Sequence, residues 1–178
     1  HGFGVLNGGR GGLSERACAS DRVVYLATLG KAAGVAGAAV AAHPAVIDWM
    51  LQKARPYVYT TASPPLLAAC LLESLRQIEA GAARRERLRS HIETLREGLA
   101  DLTFGTLMES ATPIQPLLIG TNADAVRLSK GLLQRGLMVP AIRTPTVPVN
   151  TARLRITLSA AHSADDVAQL VEALHAVI

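Results

Sequence analysis

The chain has 178 residues, of which 49% are hydrophobic and 18% charged. A chain of this size amounts to about one domain, and its composition can bury a sizeable core, which excludes disorder. The formal charge of +4 lies largely in arginines at 84–96 that alternate with Glu86, Glu93 and Glu97, a solvated helix face, and 3% aromatic content is too little for stacking nucleic acid.

No apolar run reaches the roughly 18 residues of a membrane span. The N-terminus lacks a basic region followed by an apolar one, so no signal peptide is expected. Cys18 and Cys70 have neither metal nor redox spacing. They read as small core residues with free thiols, in keeping with a reducing cytoplasm. His1 opens a Gly-rich stretch without a starting Met, as the middle of a longer chain would.

Six glycines in residues 1–14 make a loop. Residues 23–27 have the length of a buried strand, Thr28-Leu29-Gly30-Lys31 follows as a turn, and a second strand is expected near 37–41. Pro44 opens a helix to about Ala54, and Pro56 and residues 60–65 break the chain. One helix is predicted from Pro65 to Ala80, with Leu67, Leu71, Leu75 and Ile78 on its stripe. Another runs from Ala83 to Asp101, with Leu88, Ile92, Leu95 and Leu99. Gly81 marks a kink or boundary between them.

Further on, residues 114–119 read as a strand, Asn122 as the cap of a helix that stops at Gly136, and 137–139 as a short strand. Residues 143–151 are a Pro-rich loop, 153–158 alternate as a half-buried strand, and Ser163 with Asp166 opens the last helix. The reading is a partial large α/β domain at 1–62, connecting helices at 63–101, and a C-terminal α+β domain at 102–178.

Four groups of residues stand out chemically. Lys31 sits among small apolar residues, and a desolvated lysine can act as a nucleophile or base; a surface lysine in a turn is the plainer alternative. Thr60, Thr61 and Ser63 put hydroxyls before a helix, where they serve a phosphate or an ordinary cap. Arg153 and Arg155 share one strand face, suited to a carboxylate or simply to solvent. Arg143, between the strand and two prolines, has the same ambiguity. His43, His91, His162 and His175 form no metal pattern; His91, in a charged helix, reads as solvated.

The motifs in order carry a resemblance. His-Gly-x-Gly, then Thr-Leu-Gly-Lys-Ala-Ala-Gly, then Tyr-Thr-Thr-Ala-Ser-Pro-Pro, then Thr-Ala-Arg-Leu-Arg-Ile-Thr-Leu-Ser-Ala-Ala-His resemble the α-oxoamine synthases. These are pyridoxal-phosphate (PLP) enzymes of the aspartate-aminotransferase fold, fold type I, and the likeness runs through essentially the whole chain. It implies an acyltransferase that condenses an amino acid with an acyl thioester and releases CO₂. The segment 141–155 favours the branch that joins L-alanine to a pimeloyl thioester, on CoA or acyl carrier protein, over branches that take glycine.

By resemblance, Lys31 bears the cofactor and Thr28 contacts its phosphate. His1 lies by the cofactor ring oxygen, and Thr60 and Thr61 reach the phosphate of the other subunit of a homodimer. Arg155 holds the amino-acid carboxylate, and Thr146 contacts the substrate. No metal, nucleic acid or membrane is implied. The family's aspartate at the pyridine nitrogen, its ring-stacking histidine and a serine near the ring fall before His1. The 178 residues alone are therefore expected to be inactive, either a non-catalytic dimerisation module or a piece of a longer enzyme. Exposed strand edges near 23–27 and 37–41 should favour association.

Overall fold

A computed structural model describes residues 1–13 and 20–177. The chain divides into two compact units, His1–Ala82 and Ala83–Ile178.

The first unit begins with a glycine loop containing a 3₁₀ turn, Asn7–Gly9. Strands β1 (Tyr25–Thr28) and β2 (Ala38–Ala41) pair antiparallel, with Thr28 opposite Ala38. Helix α1 (Pro44–Lys53) starts on a proline, and the His43 ring nitrogen accepts the Ala45 N–H at 3.3 Å. A single turn, α2 (Arg55–Val58), occupies part of the predicted break: Pro56 falls in its first turn, where its missing N–H costs nothing. Helix α3 (Pro65–Glu79) ends as expected, and its half-buried positions are Leu67, Leu71, Ser74 and Ile78. The stripe passes through Ser74 and leaves Leu75 39% exposed, because one residue along a helix turns the side chain by 100°. Cys70 is exposed on α3 and is no core residue, since it lies off that stripe; Cys18 falls outside the described residues.

The second unit has the larger core. Helix α4 (Ala82–Gly98) buries Leu88, His91 and Leu95. His91 is 6% exposed rather than solvated, with Nε2 2.9 Å from the His162 carbonyl oxygen. It takes the i+3 place on the stripe, and the ring hydrogen bond makes its burial tolerable. Strands β3 (Thr106–Leu107), β4 (Ile114–Gly120), β5 (Ala141–Ile142) and β6 (Ala152–Thr157) form an antiparallel sheet in the order β3-β4-β6-β5. The short strand expected at 137–139 lies instead at β5, and β3 has too few residues to show a pattern. Helix α5 (Asn122–Leu133) is capped by Thr121, not Asn122: the Thr121 hydroxyl accepts the Asp124 N–H at 3.1 Å. It ends before Gly136, which takes φ +80°. Leu117, Leu128, Leu132, Leu154 and Ile156 fill the space between α5 and the sheet.

Helix α6 (Ala164–Ala176) opens on the expected box. The Ser163 hydroxyl accepts the Asp166 N–H at 3.1 Å, and the Asp166 carboxylate accepts the Ser163 N–H at 2.7 Å. The Ser163 N–H, then its hydroxyl, hold the Asp166 carboxyl below its ordinary value of 3.8. A depressed carboxyl contributes stability that is present above the ordinary value and lost as pH falls through the lowered one. The thermal midpoint is therefore expected to drop as pH is taken below 3.8, with a shallower drop in Asp166→Asn. Equal slopes in a pH series of melting curves would disprove the link.

Candidate active site

In the first unit, the glycine loop is built by close backbone approach. The Gly4 N–H meets the Gly9 carbonyl at 2.7 Å, and the Gly11 N–H meets the Leu6 carbonyl at 3.0 Å. A Cβ on Gly11, at φ +97°, would stand 1.4 Å from the Gly2 carbonyl oxygen, so no side chain fits there. The Tyr25 hydroxyl donates to that same Gly2 oxygen at 2.6 Å. This bond ties the backbone next to His1 onto β1, and His1 itself is exposed.

The lysine turn lies between β1 and β2. It closes through the Gly34 N–H to the Lys31 carbonyl at 3.1 Å and the Val35 N–H to the Leu29 carbonyl at 3.0 Å. Thr28 and Lys31 are both exposed, and a Cβ on Gly30 would meet nothing within 4 Å. The turn therefore offers an amine and a hydroxyl beside open space. The glycine loop reaches the same turn: a Cβ on Gly4 would be 2.9 Å from the Cβ of Ala32. The Ser74 hydroxyl also reaches this turn, donating to the Ala33 carbonyl at 2.8 Å.

Thr60 and Thr61 are exposed as well. The Thr60 hydroxyl donates to the Pro56 carbonyl. No side chain caps α3, whose N-cap is Pro64, so the hydroxyls before it do not serve as its cap. Of the first-unit candidates, His1 opens the glycine loop and Lys31 lies in the turn, and these two loops touch at Gly4 and Ala32. Thr60 and Thr61 sit on a separate segment.

In the second unit, β6 alternates as the sequence indicated. Leu154 and Ile156 are buried, while Arg153 and Arg155 share the other face. Arg153 is half-buried and already engaged: its Nε donates to the Thr151 carbonyl at 3.0 Å and its Nη2 to the Thr151 hydroxyl at 3.2 Å. Arg155 is exposed, with its backbone N–H on the Pro140 carbonyl at 2.9 Å. A rigid strand thus presents its fork to solvent. Thr146 is exposed in a turn closed by its own N–H to the Arg143 carbonyl at 2.9 Å.

Two residues with a bearing on this site escaped the sequence reading, Tyr25 and Ser74. Each acts through a hydrogen bond to a residue 23 or 41 positions away, and no local pattern signals that.

Comparison with known proteins gives a consistent set. The family model for aminotransferase class I and II matches residues 5–174. 8-Amino-7-oxononanoate synthase of Thiobacillus denitrificans is 73% identical over 175 residues, covering 98% of this chain and 45% of that protein. The crystal structure of 8-amino-7-oxononanoate synthase from Francisella tularensis superimposes with a TM-score of 0.82 at 29% identity, covering 98% of this chain and 51% of that one. A structure of SPT with its PLP internal aldimine gives 0.87 at 26% identity, covering 99% and 45%. The chain thus spans about half the length of the relatives it matches. Among the described residues, no helix is long and apolar enough to cross a membrane.

Proposed function

The chain belongs to the aminotransferase class I and II family, and on that premise we propose that it is the C-terminal part of a PLP-dependent acyltransferase. The reaction is the condensation of L-alanine with a pimeloyl thioester, on CoA or acyl carrier protein, releasing thiol and CO₂. The product is 8-amino-7-oxononanoate, for biotin synthesis in the cytoplasm. The carrying observation is the lysine turn: an exposed lysine, an exposed threonine three residues before it, and open space around Gly30, which lies between them in the chain. That donor set fits PLP, which needs an amine for its aldehyde and hydroxyls for its phosphate. The identity with a relative bearing that enzyme's name supports the same reading.

PLP, when bound, supplies an electron sink for charge developing at the amino-acid Cα. Lys31 contributes the amine that holds it and, once free, the base that takes the Cα proton at Nζ. Thr28 donates to the phosphate, and Thr60 and Thr61 donate to the phosphate held by the second subunit of a homodimer. For Thr60 this means rotating its hydroxyl away from the Pro56 carbonyl. His1 stands by the ring oxygen, at the end of a segment that Tyr25 ties down. Arg155 meets the alanine carboxylate with two parallel N–H donors, and its strand fixes their direction. Thr146 contacts the substrate.

The test uses the full-length protein. After incubation with PLP and borohydride, one adduct is expected on Lys31, and alanine, not glycine, should change the bound cofactor's absorbance. A response to glycine alone would reassign the enzyme to a branch such as 2-amino-3-ketobutyrate CoA ligase or 5-aminolevulinate synthase. Absence of any adduct would leave a non-catalytic dimerisation module.

Arg155→Lys loses the bidentate fork, and a hydrogen bond to a charged group is worth about 1.5–3 kcal/mol. The KM for alanine should rise roughly ten- to a hundredfold while the thermal midpoint stays put, since Arg155 is exposed. An unchanged KM in steady-state kinetics would remove Arg155 from the site.

A further inference from the structure

We propose that Ser74 is a positioning residue for Lys31, holding the turn that carries the lysine through the Ala33 carbonyl; this rests on the reading of Lys31 as the cofactor's lysine. Lys31 is exposed at the end of a flexible four-carbon stem, so its amine can only be as well placed as its backbone. The hydrogen bonds within the turn, from Gly34 to Lys31 and from Val35 to Leu29, set its shape but not its place in the unit.

Two outside contacts set the place. One is steric: Gly4 packs on Ala32 so closely that an added methyl would stand 2.9 Å from the Ala32 Cβ. The other is polar: Ser74 Oγ donates to the Ala33 carbonyl oxygen at 2.8 Å. Ala32 follows Lys31 directly and Ala33 comes next, so the two residues after the lysine are each held by a contact from outside the turn. Ala33 is 6% exposed, and a carbonyl in so buried a residue needs a partner. Ser74 meets that need from α3, a fifteen-residue helix. It does so at a place on the half-buried stripe where an apolar side chain would pack but could not donate.

A groove of about 520 Å³, lined by Ala33, Val35, Cys70, Ser74 and Gln77 among others, runs beside the bond. It leaves room for one more methyl, which makes Ser74→Thr a conservative variant that keeps the hydroxyl.

The experiment compares wild type, Ser74→Ala and Ser74→Thr in the full-length protein. PLP is the probe, and borohydride-trapped attachment at Lys31 is followed by mass across a pH series. Amide exchange of residues 29–35 is measured separately in the cofactor-free protein. Losing one hydrogen bond of this kind shifts an equilibrium by roughly two- to tenfold. Ser74→Ala should therefore attach PLP roughly two- to tenfold more slowly, with a displaced pH profile and faster exchange in the turn. Its kcat should fall while the KM for alanine holds, and Ser74→Thr should restore all four.

Attachment rate and pH profile equal to wild type in Ser74→Ala would overturn the proposal. So would a threonine variant that behaves like the alanine one. Failure of Ser74→Ala to fold would overturn it too, because the bond would then hold the unit together rather than place the lysine. If the wild-type protein takes no PLP at Lys31, the reading of the lysine fails, and the proposal with it; if wild type attaches PLP and Ser74→Ala matches it, Ser74 alone is at fault.

Discussion

Lys31→Ala in the full-length protein is expected to abolish covalent attachment of PLP and to cost at least the 10²–10⁴-fold, as an order of magnitude, that a positioned proton-transfer group supplies. The same loss is expected of Lys31→Arg. A guanidinium keeps its proton at any pH the protein survives, so it can neither attack an aldehyde nor take a proton from carbon. Stability should not follow activity. Lys31 is exposed, and substitutions at exposed sites usually stay within about 0.5 kcal/mol. The check is a paired measurement, turnover and borohydride-trapped mass on one side and a thermal melt on the other. Retention of a trapped adduct in either variant would move the cofactor to another amine.

Leu154→Ala is expected to destabilise the second unit by about 2–5 kcal/mol, the range for deleting a fully buried leucine. Leu154 is 0% exposed, lies opposite Leu117 on β4 and Ala141 on β5, and so sits where three strands meet the helical layer. Native domains hold only about 5–15 kcal/mol, so the loss is a large share of the whole. Urea denaturation monitored by circular dichroism would show it as a lower midpoint, and an unchanged midpoint would mean that the sheet is not the core of that unit. Arg155 rides the same strand on its other face, so the variant tests how far the arginine depends on the strand behind it.

What could be read from the sequence is what short stretches of chain decide for themselves. The proline start of α1, the Ser163–Asp166 box and the alternation of β6 all rest on neighbours within four residues, and all appear in the structure. The turn expected at Thr28–Lys31 lies later, closing from Lys31 to Gly34, because Thr28 still pairs with Ala38 as the end of β1. Errors begin where a tertiary partner chooses between adjacent positions. On α3 the choice fell on Ser74 over Leu75 because a backbone carbonyl had to be met. On α4 it fell on His91, which found the His162 carbonyl. The strand expected at 137–139 became β5 further on, where Ala141 and Ile142 face Leu154 and Arg153. The candidate site divides in the same way. Lys31 and Arg155 could be picked out by residue type and place, but the hydroxyls of Tyr25 and Ser74 that steady the loops could not, because sequence distance carries no sign of them.

Burial is shared unequally between the units. Among the described residues of the first, Ala27, Ala33 and Val35 are the buried apolar side chains, while Leu26, Trp49, Tyr59 and Leu66 are each more than 60% exposed; the second buries leucines throughout. Unfolding raises heat capacity mainly through apolar surface newly wetted, and the urea dependence of stability scales with the same area. The described residues of the first unit have less left to wet. A calorimetric trace of these 178 residues would take the larger part of its baseline step from Ala83–Ile178, and the smaller part from the segment that carries Lys31.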